Sequence, residues 1–265
     1  MANTVYENEV LQAQLTNNLD TKLDAKGFMT IDNTLSASEG MIVKVRKYAY
    51  TGTVEQLAAG EKNTSGARGK IEVTSTPYEV LRYQQVFDYT DSDAMTDSNV
   101  VDMGMAGAEN EMVNEINDEF FTEIAKATLT QEYANGGAIS YDTIVDAIGK
   151  MNLEDESGLF LIIGNDLKQQ IRKDADFKAK ELGKILVDGA IGTISGVPVS
   201  VSVKCPAGTA FLATKEAVKF WVKRDSEVEQ DRDKEAASNT VILRRYGLVA
   251  LVDATKAVKI VEAAE

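Results

Sequence analysis

Few side chains in this sequence are equipped for chemistry. The 265 residues include no histidine and one cysteine, Cys205. Without imidazole there is no Ser-His-Asp or Cys-His nucleophile system and no His-ligated zinc or haem. One thiol excludes an internal disulfide, a Cys-rich zinc site and a protein-bound iron–sulfur cluster. Asp91-Ser-Asp93-Ala-Met95-Thr-Asp97 opens like a calcium loop. It fails at Met95, at Thr96 where glycine is needed, and at Asp102 where a bidentate glutamate is expected. Acids at the positive end of a helix explain the run better. Gly164-Asn165-Asp166 stands between a strand and a helix without G-x-G-x-x-G or a P-loop, so capping is its reading. Ser195 precedes Gly196 but has no base to activate it. Asp231, Asp233 and Glu235 alternate with Arg232 and Lys234 and read as a solvated loop. A carboxylate pair of the glycosidase type is the one catalytic reading left open. With a single Trp, Trp221, nothing signals an aromatic sugar cleft. No catalytic residue, metal ligand set or cofactor motif is expected.

The elements that would position any site are those of an ordinary globular chain, 44% hydrophobic and 26% charged. The longest apolar runs, Leu159 to Ile163 and Gly247 to Val252, fall far short of the ~20 residues that cross a bilayer. The start, MANTVYENEV, lacks a signal-peptide layout, so a soluble cytosolic product is expected. The net charge of −14 argues against whole-surface adhesion to nucleic acid. That charge is concentrated. Residues 41–82 carry four acids and seven bases, whereas residues 83–125 carry eleven acids and no Lys or Arg. Asymmetry of this kind points to interaction.

Leu11, Leu15, Leu19 and Leu23 set an i+4 stripe on a predicted helix over 5–26, too narrow to stand without a surface to lie on. Residues 1–40 therefore read as an arm. Strands are expected at 41–53 and 70–81 around the Gly- and Ser-rich tip 60–69, a long hairpin with little apolar mass. A long helix follows, capped by Asp97 or Ser98 and running to about Lys126. Its stripe is Val101, Met105, Ala108, Met112, Ile116, Phe120 and Ile124. Beyond 139 the pattern is α/β. It comprises a helix over 141–151, a buried strand over 159–163, a helix to Lys173, a turn and strand over 191–203, and strands at 209–212 and 218–222. A polar stretch from Arg224 to Asn239 precedes three last strands at 241–243, 247–252 and 258–261.

An arm, a basic hairpin, an acidic helix and a compact α/β end make better sense as a subunit draped over neighbours than as a monomer. The chain resembles the tailed-phage major capsid protein family, the Hong Kong 97 fold. The 41–82 hairpin looks like that family's E-loop and the 98–126 helix like its spine helix. Ile191-Gly-Thr-Ile-Ser-Gly-Val-Pro-Val-Ser-Val-Ser, Pro206-Ala-Gly-Thr-Ala-Phe-Leu and Arg245-Tyr-Gly-Leu-Val-Ala are similar to runs that recur near the ends of members. The resemblance implies an α+β chain with an N-arm (1–40), an E-loop (41–82), a P-domain with the spine helix (83–135), an α/β A-domain (136–222) and a return through P-domain strands (223–265). It implies pentamers and hexamers that close into an icosahedral head around double-stranded DNA, without sequence-specific contact or a membrane. A separate scaffold protein and a portal would be partners. Some members crosslink an E-loop lysine to a P-domain asparagine; Lys62 or Lys70 and Asn239 stand in comparable places, but the sequence carries no diagnostic pattern for the crosslink. In this fold the E-loop crosses an adjacent subunit. Lys44, Arg46, Lys47, Lys62, Arg68 and Lys70 are thus expected to meet Asp102, Glu109, Glu115, Asp118, Glu119 and Glu123 of a neighbour. An encapsulin-like compartment shares the fold, and a small carboxylate-dependent α/β enzyme is the reading from another class.

Overall fold

The computed structural model describes residues 24–37, 39–97, 99–134, 136–173 and 192–263. The stripe Leu11, Leu15, Leu19 and Leu23 lies outside the described residues, and the last turn of the helix expected there, Asp24–Gly27, is a 3-10 turn. In chain order the strands and helices begin with β1 (Thr30–Asp32), β2 (Ile42–Tyr50), β3 (Ile71–Glu79), β4 (Leu81–Thr90), α1 (Asp91–Thr96) and α2 (Val100–Ile124). They continue with β5 (Leu129–Tyr133), α3 (Tyr141–Met151), β6 (Leu159–Ile163), α4 (Asn165–Lys173), β7 (Thr193–Ile194) and β8 (Val197–Val201). The last are β9 (Thr209–Thr214), β10 (Val218–Asp233), β11 (Ser238–Leu251) and β12 (Ala257–Glu262). Residues 39–80 form one unit and the rest of the chain another.

The larger unit is organised by α2. All seven stripe residues expected from the spacing are buried, together with Val113, Asn117, Phe121 and Glu109. At 1.5 Å per residue its 25 residues span about 37 Å. That length serves two sheets. A four-stranded sheet in the order β1-β10-β11-β4 turns Val218, Phe220, Val222, Val228, Val241, Leu243, Val249 and Leu251 into the same core as the helix. A six-stranded sheet in the order β5-β12-β9-β6-β8-β7 meets that core through Phe160, Ile162, Phe211 and Ala213. Its other face, Leu159, Leu161, Ile163, Ala210, Leu212, Val258 and Ile260, packs with α3 and α4. Successive residues of a strand point to opposite faces, so a strand covered on both sides reads as an unbroken apolar run, as Leu159 to Ile163 does.

The motif residues become turns. Ser195 and Gly196 both have positive φ, 50° and 82°, and join β7 to β8 in the two-residue geometry hairpins favour. Gly208, at φ 69°, donates its N–H to Asp166 Oδ2 at 2.6 Å, and Thr209 Oγ1 donates to Pro206 O at 2.6 Å. Asp166 thus pins the loop before β9 to the start of α4. The acid run 91–97 resolves into a capping box, in which Thr90 Oγ1 accepts from Asp93 N and the Asp93 carboxylate accepts from Thr90 N. The cap belongs to α1. The long helix is preceded by Asn99 as its N-cap, which makes no side-chain cap bond, and Asp97 Oδ1, two residues earlier, accepts from Asn99 N.

Three expectations need correction. The polar stretch 224–239 is a hairpin: β10 continues to Asp233 and β11 begins at Ser238. Register shifts at Val222/Arg224 and Arg224/Glu227 break the two-residue period there, and Ser226, Val228 and Asn239 turn inward. The strands expected at 241–243 and 247–252 are one, because Arg244 and Tyr246 face outward while Arg245 takes an inward position against the Phe220 ring. β4, paired along its whole length with β11, is a strand where the sequence pattern signals none. β5 and β12 pair in parallel with each other in the six-stranded sheet.

Gly247 marks a tight point in β11. A Cβ there would lie 2.7 Å from the Phe220 ring and 3.1 Å from the Trp221 carbonyl. Gly247→Ala should lower stability by about 1–3 kcal/mol, seen as a reduced urea midpoint of the purified chain. An unchanged midpoint would show that Phe220 gives way freely.

Candidate subunit interface

The smaller unit is a hairpin whose strands pair from Ile42↔Glu79 to Tyr50↔Ile71. Alternation places Ile42, Lys44, Arg46, Tyr48 and Tyr50 on one face, opposite Glu79, Pro77, Ser75, Val73 and Ile71. Tyr48, Tyr50, Ile71 and Val73 are each more than half exposed, and they form two adjacent cross-strand pairs. One face therefore carries two cations beside an uncovered apolar patch. Little holds this unit from within, since Val45, Ala67 and Val80 are its buried hydrophobics. Its tip is ordered by polar contacts: Thr53 N donates to Ala67 O at 3.3 Å, Thr64 N to Glu55 Oε2 at 2.8 Å and Ala58 N to Glu61 Oε2 at 3.1 Å. Lys62, Arg68 and Lys70 are exposed around that tip. Among the described residues no intrachain ion pair engages Lys44, Arg46, Lys62, Arg68 or Lys70. The side chain of Lys47 lies outside the described residues.

The acids of α2 divide by face. Asp102 and Glu115 are exposed, as expected of a contact surface. Asp118 is exposed too, but Lys204 Nζ reaches it at 2.7 Å. Glu109 is not available: it is 1% exposed, buried in the helix's inward face. Glu119 is turned toward β4, where its carboxylate accepts from the Tyr83 hydroxyl. Glu123 pairs with Lys126 and accepts from Leu251 N at 3.4 Å. The expectation that all six acids face a neighbour is thus corrected for Glu109, Glu119 and Glu123, whose positions serve the fold. An i+3/i+4 spacing marks a helix's apolar face but does not tell an acid on its border from one in open solvent.

Sequence reasoning missed Glu111. It lies with Glu115 and Glu119 along one wall of a groove of about 380 Å3 whose other wall is Leu81 to Gln85 of β4. The signal was present: Glu111, Glu115 and Glu119 follow at i+4. Burial holds the Glu119 carboxyl above its ordinary range, and the charges of Glu115 and Glu123 push the same way against the lowering effect of the Tyr83 hydroxyl. The Tyr83 phenol is driven strongly up, first by burial and then by Glu119.

Other candidate residues are structural. Asn239 is buried and donates Nδ2 to Asp91 Oδ1 at 2.9 Å, while Arg232 reaches Asp91 Oδ2 at 2.7 Å, tying the β10–β11 hairpin to α1. Cys205 is buried and its thiol is pushed up to about 11 by desolvation. No group of three or more Cys, Asp and Glu side chains is placed to hold a metal among the described residues. No helix among them is long and apolar enough to cross a membrane.

The family model described as phage capsid protein matches residues 72–260. The chain belongs to that family. Members are structural shell proteins and not enzymes, so the chain is part of the virion capsid and associates with copies of itself. A curated relative, the major capsid protein of Staphylococcus phage phiMR11, is 29% identical over 262 residues, covering 95% of this chain and 92% of the relative. Among solved structures, Mycobacterium phage Che8 superposes with a TM-score of 0.67 at 15% identity, over 87% of this chain and 88% of that one. A virus-like particle from Pyrococcus furiosus superposes with a TM-score of 0.65 at 11% identity, over 97% and 100%. The fold is the Hong Kong 97-like capsid fold, as the sequence resemblance implied.

Glu119 makes a measurable prediction within the family's long helix. Its folded-state pKa is raised, so the folded chain holds the proton more tightly than the unfolded one. Its contribution is therefore favourable below the ordinary glutamate range and is lost as pH rises through the elevated folded value. Urea midpoints from pH 4 to 8 should show Glu119→Gln gaining on the parent chain as pH rises. A constant difference across that range would contradict the assignment.

Proposed function

We propose that the chain assembles as pentamers and hexamers into an icosahedral head enclosing double-stranded DNA, with the basic hairpin of each copy laid on the acidic helix of the next. The observation that carries this reading is the hairpin: a separate unit with unpaired cations and an uncovered apolar patch on one face. Such a surface on a monomer marks a contact with another molecule. The complementary surface is the exposed side of α2, where Asp102, Glu111 and Glu115 have no intrachain ion pair among the described residues. Lys44 and Arg46 meet Glu111 and Glu115, while Lys62, Arg68 and Lys70 reach acids near the helix start. In this reading residues 1–40 are the arm, 41–82 the E-loop, 83–135 and 223–265 the peripheral domain and 136–222 the axial domain. Synthesis is in the host cytoplasm, and a separate scaffold protein and a portal complete the head.

Exposed pairs contribute only about 0–1 kcal/mol each, but charge complementarity sets orientation and suppresses wrong partners. Lys44→Glu with Arg46→Glu should abolish or strongly reduce shells in electron micrographs while the far-UV circular dichroism of the subunit stays unchanged. Adding Glu111→Lys and Glu115→Lys should restore them in part. Normal shells from the first variant would refute the charge pairing. The alternative carried by the shared fold alone is a compartment without a genome, and the contents of purified particles decide between the two. Nucleic acid inside purified particles supports the head, and a packaged protein without nucleic acid supports the compartment.

A further inference from the structure

Two of the exposed acids of α2 stand in a row with two residues that carry no charge. Met103, Gly107, Glu111 and Glu115 follow one another at four-residue spacing, the spacing of a ridge on a helix surface. All four are exposed, Met103 to 71%. A Cβ at Gly107 would meet no other part of the described chain within 4 Å, so the ridge has an open gap there. The row therefore reads apolar, gap, anion, anion. The hairpin face carries the complementary order. Lys44 and Arg46 are followed by Tyr48 and Tyr50, with Val73 and Ile71 paired beside the two tyrosines.

We infer that the two rows dock between copies in one alignment: Lys44 on Glu115, Arg46 on Glu111, Tyr48 over Gly107 and Tyr50 against Met103. The inference rests on the reading that the hairpin lies on a neighbour's α2, and it adds the direction and the pairing. The first argument is spacing. Four helix residues rise about 6 Å and two strand residues about 6.8 Å, so three steps of each differ by only about 2 Å. Lys44 and Met103, at opposite ends of the match, have flexible stems that absorb this difference. The second argument is chemistry. In this direction each cation meets a carboxylate, and a thioether meets an aromatic ring, which is a favourable contact. In the opposite direction the tyrosine rings would cover Glu111 and Glu115 without a cation, and burying an unpaired charge is costly. The third argument is Gly107 itself. Glycine inside a helix is destabilising relative to alanine, and nothing in its own chain needs the space. A ring laid across the ridge at that point does need it.

The test fills the gap. Gly107→Phe should keep the far-UV circular dichroism of the parent subunit while particle yield falls at least tenfold. Adding Tyr48→Ala, which vacates the seat, should restore most of that yield. Normal yield from Gly107→Phe would overturn the alignment, and so would a loss that Tyr48→Ala does not relieve. A crosslink provides a second measurement. Tyr50→Cys with Met103→Cys, in a Cys205→Ala background, should form disulfides between chains when particles are oxidised, whereas Tyr50→Cys with Glu115→Cys should not. Crosslinking through position 115 instead, or through neither position, would overturn the alignment. If Lys44→Glu with Arg46→Glu still abolishes particles in that case, the hairpin contact stands and its alignment alone falls. Normal particles from the charge variant refute the contact itself and the alignment with it.

Discussion

The larger unit depends on burying one stripe of α2. Ile116, Phe120 and Ile124 are almost wholly enclosed, and side chains of this size gain about 1.5–3 kcal/mol each from full burial. The helix earns that burial from two sheets that do not hydrogen-bond to each other. Near its start, Gly104 lets the Phe87 ring of β4 lie against the backbone, and near its end Phe121 stands 6.1 Å from Phe211 of β9. One helix therefore joins the two sheets into a single apolar core. Its inward face is committed to packing along the whole length and encloses Glu109, while the exposed acids lie elsewhere on the helix.

The hairpin is the reverse case. Its two strands are fully paired, yet almost nothing apolar is enclosed, and a two-stranded ribbon of this sort is marginal in water. Gly52 and Gly69 leave room for the Tyr50 ring to lie across the neck of the hairpin, where a side chain at either position would collide with it. That ring is largely exposed nonetheless. The unit is shaped before its apolar face is covered. Preorganisation of this kind lowers the ordering cost of docking and leaves more of the contact energy for association.

How much of this was legible follows from how each residue signals. The α2 stripe was legible because every position from Val101 to Ile124 at three- or four-residue spacing is apolar, and Leu159 to Ile163 was legible because both faces of β6 are covered. β10 beyond Val222 was hidden by two bulges that shift the parity of a polar strand. The inward turn of Glu109 could not be read from spacing, because an acid on the border of an apolar stripe has the same sequence pattern whether it is covered or not. The cations of the hairpin were found by counting, but the apolar patch beside Lys44 and Arg46 needed the register, which pairs Tyr48 with Val73 and Tyr50 with Ile71.

The register also changes what the charge imbalance means. Eleven acids without a base between residues 83 and 125 suggest a strongly negative surface. Several are already engaged: Asp91 by Arg232 and Asn239, Asp118 by Lys204, Glu123 by Lys126, and Glu119 by Tyr83, while Glu109 is buried. The field offered to a neighbour is smaller than the count, and exposed pairs are weak and screened by salt. Four exposed apolar side chains on the hairpin, each able to contribute on the order of a kilocalorie or more when covered, outweigh two such pairs. In the proposed contact, most of the adhesion would come from Tyr48, Tyr50, Ile71 and Val73, and Lys44 and Arg46 would set which way round the hairpin lies.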